Sequence, residues 1–181
     1  MKILAISGSL RAASINSMLL RVMAEVAPPG MEVRVYRELG LLPLFNPDLT
    51  ELPAIVASLR DQLLRAEALV IASPEYAHGV TGAIKNGLDW MVGNESFIGK
   101  PVALLNASPR ATHAYASLRE TITVMSAQVV EAASITLPLL GANLSESAMR
   151  ADPQICGMLR AALLSLKDAH RSSVSAQAGI A

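Results

Sequence analysis

Residues 1–17, MKILAISGSLRAASINS, decide how this chain is read. Lys2 to Ser7 form a short apolar, β-branched run suited to a buried strand, and the run breaks at Gly8 into small and hydroxylated residues. A helix then begins near Asn16. Strand, glycine turn and helix N-terminus in that order make an anion site, because unpaired backbone N–H groups and the positive end of the helix dipole face one small volume. Ser9, Ser14, Asn16 and Ser17 add neutral donors, and Arg11 adds a fixed charge with a planar fork suited to phosphate oxygens. The set suits a phosphomonoester. It lacks the GxxxxGKS/T and GxGxxG patterns, which argues against ATP and NAD as the ligand of this turn. On its own, GSLRAAS also reads as an ordinary βα connection rich in turn formers. The rest of the chain separates the two readings.

The 181 residues fit one domain able to bury a full core, and 52% of them are hydrophobic against 17% charged, a balance that suits a sheet covered by helices on both faces. Acidic and basic residues are equal at 15 each and aromatics reach only 3%, so the chain has neither the basic footprint nor the stacking platform of a nucleic-acid binder. No apolar run has the length of a membrane span, and the first residues lack the pattern of a signal peptide. The single cysteine, Cys156, lies in a helical pattern and reads as a buried small hydrophobe. A cytoplasmic protein without membrane or nucleic-acid partners is the expectation.

Along the chain, helical periodicity from Asn16 to Ala27 stops at Pro28-Pro29-Gly30, and Glu32 to Tyr36 reads as a second strand. A long connection, Arg37 to Pro53, has the length of a binding loop and reads equally as a surface wrap without a role. Pro53 opens a helix to about Ala66, and Ala68 to Ala72 is an apolar third strand. Pro74, Gly79 and Gly82 then force a turn before a helix to about Val92. The strand Pro101–Asn106 ends in ASPRAT, a helix covers Ala114–Ala127, Val129 to Leu137 is the fifth strand, and Gln154 to about Arg171 closes the domain of residues 1–171. Residues 172–181 have no periodic pattern and are expected to form a disordered tail.

Short strands alternating with helices imply a parallel sheet with right-handed crossovers. With a phosphate turn after the first strand, the expected fold class is α/β, a flavodoxin-like, doubly wound, five-stranded parallel sheet of order 2-1-3-4-5 with helices on both faces. In that order the loops after Ser7, Ser73 and Asn106 converge at the carboxyl edge of the sheet. FMN has the shape for them: a phosphate over Ser9–Asn16, the ring's pyrimidine edge against backbone N–H groups of the Ser73–Tyr76 loop, Tyr76 over ring or ribityl chain, and Ser108 and Thr112 flanking the ring. No side chain has to act as nucleophile or acid. His78 and His113 read as loop histidines, and Glu75 is expected to contribute its backbone more than its carboxylate.

At these residues the chain resembles a family. GSLRAASIN followed by PEYAHGVTGAIKNGLDW resembles the NADPH-dependent FMN reductases, a flavodoxin-like group that includes quinone, chromate and azo-dye reductases, and the likeness extends from Met1 to about Leu166. The resemblance implies that Ser9, Arg11, Ser14 and Asn16 hold the FMN phosphate, that Pro74, Glu75 and Tyr76 line the isoalloxazine, and that Ser108 belongs to a second ring-binding loop. It implies NADPH or NADH as donor, a small-molecule electron acceptor, and a homodimer or homotetramer with the flavin near the subunit boundary and the LPLFNPDL loop close to both the site and a neighbouring subunit. Two positions depart from the family pattern. Ala77 stands where asparagine is common after PEY, and Arg110-Ala111-Thr112-His113 replace a frequent glycine pair. The expected activity is an FMN-dependent NAD(P)H oxidoreductase working by a ping-pong mechanism. An FMN-binding electron carrier or regulatory module without NAD(P)H turnover is the alternative, and a phosphate-ligand module without flavin is a third.

Overall fold

A computed structural model describes residues 1–178. Five strands, β1 (Lys2–Ser7), β2 (Glu32–Tyr36), β3 (Ala68–Ala72), β4 (Pro101–Leu105) and β5 (Gln128–Val129), form one sheet of order β2-β1-β3-β4-β5. Every pairing is parallel, with Ile3 to Ser7 opposite Ala68 to Ala72 and Leu69 to Ala72 opposite Val102 to Leu105. The expected topology is therefore the observed one.

Alternation along the strands sorts the core into two layers. Ile3, Ala5, Val70 and Ala103 face α1 (Ile15–Glu25), α5 (Glu146–Ala151) and α6 (Pro153–Ala178), while Leu4, Ile6, Leu69, Ile71 and Leu104 face α2 (Ala54–Arg65), α3 (Gly82–Asp89) and α4 (Thr112–Val124). β3 is buried on both faces, as its unbroken ALVIA sequence requires.

Three segments differ from the sequence reading. The fifth strand ends at Val129, because a short 3-10 turn at Glu131–Ala133 intervenes and the Ser134 hydroxyl accepts from the Leu104 amide where a ladder carbonyl would otherwise stand. Pairing resumes only at the bridge between Asn106 and Thr136. The loop after Leu137 contains α5, capped by Ser145, whose oxygen accepts from Ala148 N at 3.1 Å. Helix α6 continues past Arg171 to Ala178, and the Ser172, Ser173 and Ser175 hydroxyls donate to the carbonyls of Asp168, Ala169 and Arg171 along it. Serines that read as tail composition thus find acceptors within a helix. Residues 179–181, also assigned to the tail, lie outside the described residues.

Candidate functional site

The carboxyl ends of β1, β3 and β4 are neighbours, so the turns that follow them share one cleft of about 290 Å³. This is the crevice at the topological switch point where open α/β sheets bind ligands.

The first wall follows β1. Gly8 N donates to Ala72 O at 2.8 Å, so the turn starts while still bonded to β3. A Cβ on Gly8 would stand 2.3 Å from Ser73 Oγ and 2.8 Å from Ser73 Cβ, which is why only glycine fits there. Ser14 is the N-cap of α1, accepting from Ser17 N at 3.3 Å, and the helix starts one residue earlier than its periodicity predicts. Ser9, Arg11, Ser14, Ile15 and Asn16 line the cleft. Asn16 is only 3% exposed, and its Oδ1 has no hydrogen-bond partner among the described residues. Ser17 is turned away from this set: its hydroxyl donates to Ser7 Oγ at 2.8 Å and braces the end of the strand.

The second wall follows β3. Ser73, Pro74, Glu75 and Tyr76 line the cleft. Beyond them Tyr76 and Gly79 exchange both backbone hydrogen bonds across Ala77 and His78, whose φ values of 50° and 60° define a type I′ turn built without glycine or asparagine at its centre. Ala77 forms the exposed tip of that turn and does not line the cleft. Glu75 does more than offer its backbone. Its Oε2 accepts from Ala114 N at 2.8 Å, supplying from another loop the acceptor that α4 lacks at its own cap residue, Ala111. Oε1 lies 3.7 Å from His78 Nδ1, and the rings of His78 and His113 meet edge to face with centroids 4.5 Å apart.

The third wall follows β4. Asn106, Ala107, Ser108, Arg110 and Ala111 line the cleft, whereas Thr112 is the exposed first residue of α4 and stands outside it. Leu140 completes the lining from the segment after β5 and is held there because its N–H donates to Ala107 O at 3.0 Å. Sequence reasoning missed Leu140. Its one signal was position in the sheet, since β5 borders β4 and the chain leaving β5 must pass that loop.

The long loop from Arg37 to Pro53 contributes nothing to the lining. It is strapped to α3 instead: Trp90 Nε1 and Asn86 Nδ2 both donate to Pro43 O, and Phe45 packs edge-on against Trp90 with centroids 5.1 Å apart. Leu41 and Leu44 on this strap remain exposed. Among the described residues no cluster of histidine, cysteine or carboxylate side chains could hold a metal ion, and no helix is long and apolar enough to cross a membrane.

Several known proteins are similar to this chain. The chain is 40% identical over 111 residues to an NAD(P)H-dependent FMN reductase of Pseudomonas aeruginosa, covering 59% of this chain and 60% of that protein. It is 34% identical over 113 residues to a quinone reductase of Escherichia coli, covering 60% of each. The matched region thus spans about 60% of the length of these curated relatives. In fold, it superposes on FerB, a flavoenzyme NAD(P)H:(acceptor) oxidoreductase of Paracoccus denitrificans, with a TM-score of 0.72 at 24% identity, over 92% of this chain and 97% of that one. The model of the NADPH-dependent FMN reductases matches residues 1–139, the stretch that carries β1 to β5 and all three cleft turns, and the chain belongs to that family.

Proposed function

We propose that this chain is an FMN-dependent NAD(P)H oxidoreductase acting on a small-molecule acceptor. The observation that carries the reading is the cleft itself: Arg11, the first turn of α1 and the unpartnered Asn16 amide share it with the Pro74–Tyr76 and Asn106–Ser108 segments. The Asn16 side chain lines the cleft, and its NH2 is a donor suited to a phosphate oxygen. Arg11 then supplies a charge-assisted fork, and Ser9 and Ser14 sit beside it.

Bound FMN would supply hydride and electron transfer between NAD(P)H and a quinone, free flavin, azo or metal-oxyanion acceptor. The protein's part is position and field. Pro74, Tyr76 and Ala107 give the ring apolar walls, and the Glu75 carboxylate is engaged by the Ala114 amide, which keeps its charge tied to a helix end. Donor and acceptor take turns at one cleft. Initial-rate lines at several fixed acceptor concentrations should therefore run parallel, and intersecting lines would exclude the ping-pong order.

The chain is further proposed to work in the cytoplasm as a homodimer or homotetramer. The exposed leucines of the strap over α3 support an assembly, and sedimentation at low protein concentration checks it. The deciding experiment for function is a spectrum and a turnover assay on purified protein reconstituted with FMN, using NADPH and NADH with a small acceptor panel. Tight yellow loading with rapid nucleotide oxidation is expected. Loading without oxidation would make the chain an electron carrier or regulatory module, and fluorescence of free FMN throughout would exclude flavin binding.

A further inference from the structure

We propose that Arg110 forms an anion subsite for the second ligand of the cleft, and that this ligand combines a planar apolar ring with an anionic group. The inference rests on the FMN reading above, in which the turn after β1 is taken by the first ligand.

Two guanidinium side chains, Arg11 and Arg110, line the cleft, and neither joins a salt bridge among the described residues. The one carboxylate in the lining, Glu75, already accepts from Ala114 N. The cleft is thus cationic in a chain whose formal net charge is zero. Arg11 belongs to the β1 turn and its phosphate. Arg110 comes from another strand end, so a single ester group held at the first turn leaves it without a role.

The turn beneath Arg110 is fixed by buried polar groups. Asn106 Oδ1 accepts from Ser108 N at 3.0 Å, Asn106 Nδ2 donates to Ala111 O at 3.3 Å, and Ser108 Oγ accepts from Arg110 N at 3.3 Å. Asn106 and Ser108 are both buried, whereas Arg110 is exposed. A rigid base under a free guanidinium lowers the ordering cost of capturing an anion. Beside it Leu140, 58% exposed, is pinned by its N–H to Ala107 O and presents an apolar side chain to the same cleft. An exposed leucine and an unpaired arginine on one rim call for a ligand with both characters. The phosphates of a nicotinamide nucleotide and the acidic substituent of an aromatic acceptor share this chemistry.

Steady-state kinetics on FMN-loaded wild type, Arg110→Ala and Arg110→Lys separate the sources, with NADPH or NADH as donor and either neutral benzoquinone or a sulfonated naphthoquinone as acceptor. Calorimetric titration with NADP+ adds a reading independent of turnover, and rates are normalised to flavin absorbance. In Arg110→Ala the KM of the anionic partner should rise about tenfold, and Arg110→Lys should recover part of the loss because it keeps the charge without the fork. A rise in nucleotide KM with weaker NADP+ binding assigns the subsite to the nucleotide. A rise confined to the sulfonated quinone assigns it to the acceptor. If both KM values and NADP+ affinity stay within twofold of wild type in both variants, the subsite does not exist. Failure of the FMN reading would appear separately, as wild-type protein that does not load flavin or does not oxidise NAD(P)H.

Discussion

The Thr81 hydroxyl donates to the Gly8 carbonyl at 2.7 Å, and its oxygen accepts from Ile84 N at 3.3 Å. One buried side chain thus caps α3 and ties that helix to the first cleft turn. Thr81→Val keeps the shape and removes both bonds, leaving Gly8 O and Ile84 N unsatisfied. Loss of about 1–3 kcal/mol in urea unfolding is expected, together with weaker FMN retention.

Gly8→Ala tests the close approach of β1 and β3 beyond their last paired residues. Because the added Cβ would overlap Ser73 Cβ as well as its hydroxyl, rotation of Ser73 cannot relieve the contact and backbone must move. Destabilisation on the order of 1–3 kcal/mol is expected. Pairing the change with Ser73→Gly should restore a large part of it, as measured by the midpoint of thermal unfolding.

Ala77→Asn should stabilise the protein. Alanine at φ 50° carries a steric cost that asparagine tolerates better. A gain of roughly 1 kcal/mol is the expected scale, and a lower denaturation midpoint would count against strain at this tip.

Arg11→Ala should lower FMN affinity about tenfold to a hundredfold, the worth of charge-assisted hydrogen bonds to a phosphate. Fluorescence titration of the apoprotein reads it directly. Equal retention by variant and parent would refute the phosphate assignment.

At the opposite edge of the sheet, Glu67 accepts from Lys2 N at 2.6 Å and lies 3.1 Å from His170 Nε2. That backbone bond, aided by the Met1 amine and His170, holds the Glu67 carboxyl below its usual value, with burial opposing. A depressed folded value means that this contribution is present above the ordinary carboxylate range and is lost as pH falls through the folded value. Glu67→Gln should therefore narrow the difference in thermal midpoint between pH 7 and acid. An unchanged difference would show that the pairing contributes nothing to acid sensitivity.

Much of this molecule could be read before its structure. Gly8, the run Ala68–Ala72 and the strand from Pro101 report themselves because a central parallel strand must be apolar throughout and must end in small residues where the next turn crowds it. At the first turn the small and hydroxylated residues before the apolar period mark a helix start, and Ser14 serves as its cap. The apolar stretch after Gln128 misled because β-propensity does not reveal where a side-chain hydroxyl, here Ser134, takes over a ladder position. Helix α5 is too short to establish a period. The Glu75 cap on α4 joins residues 39 positions apart, beyond any local pattern.

The Ala107 carbonyl accepts from both Leu139 and Leu140, so the chain leaving the sheet's last strand is stapled to the cleft from outside the strand ladder. Leu137 N also donates to Asn106 O at 2.8 Å, and the Leu137 and Leu139 side chains are buried, so the segment is moored in the core and Leu140 is left facing outward. A change of side chain at Leu140 therefore reshapes the rim while its moorings, which run from backbone to backbone, stay in place.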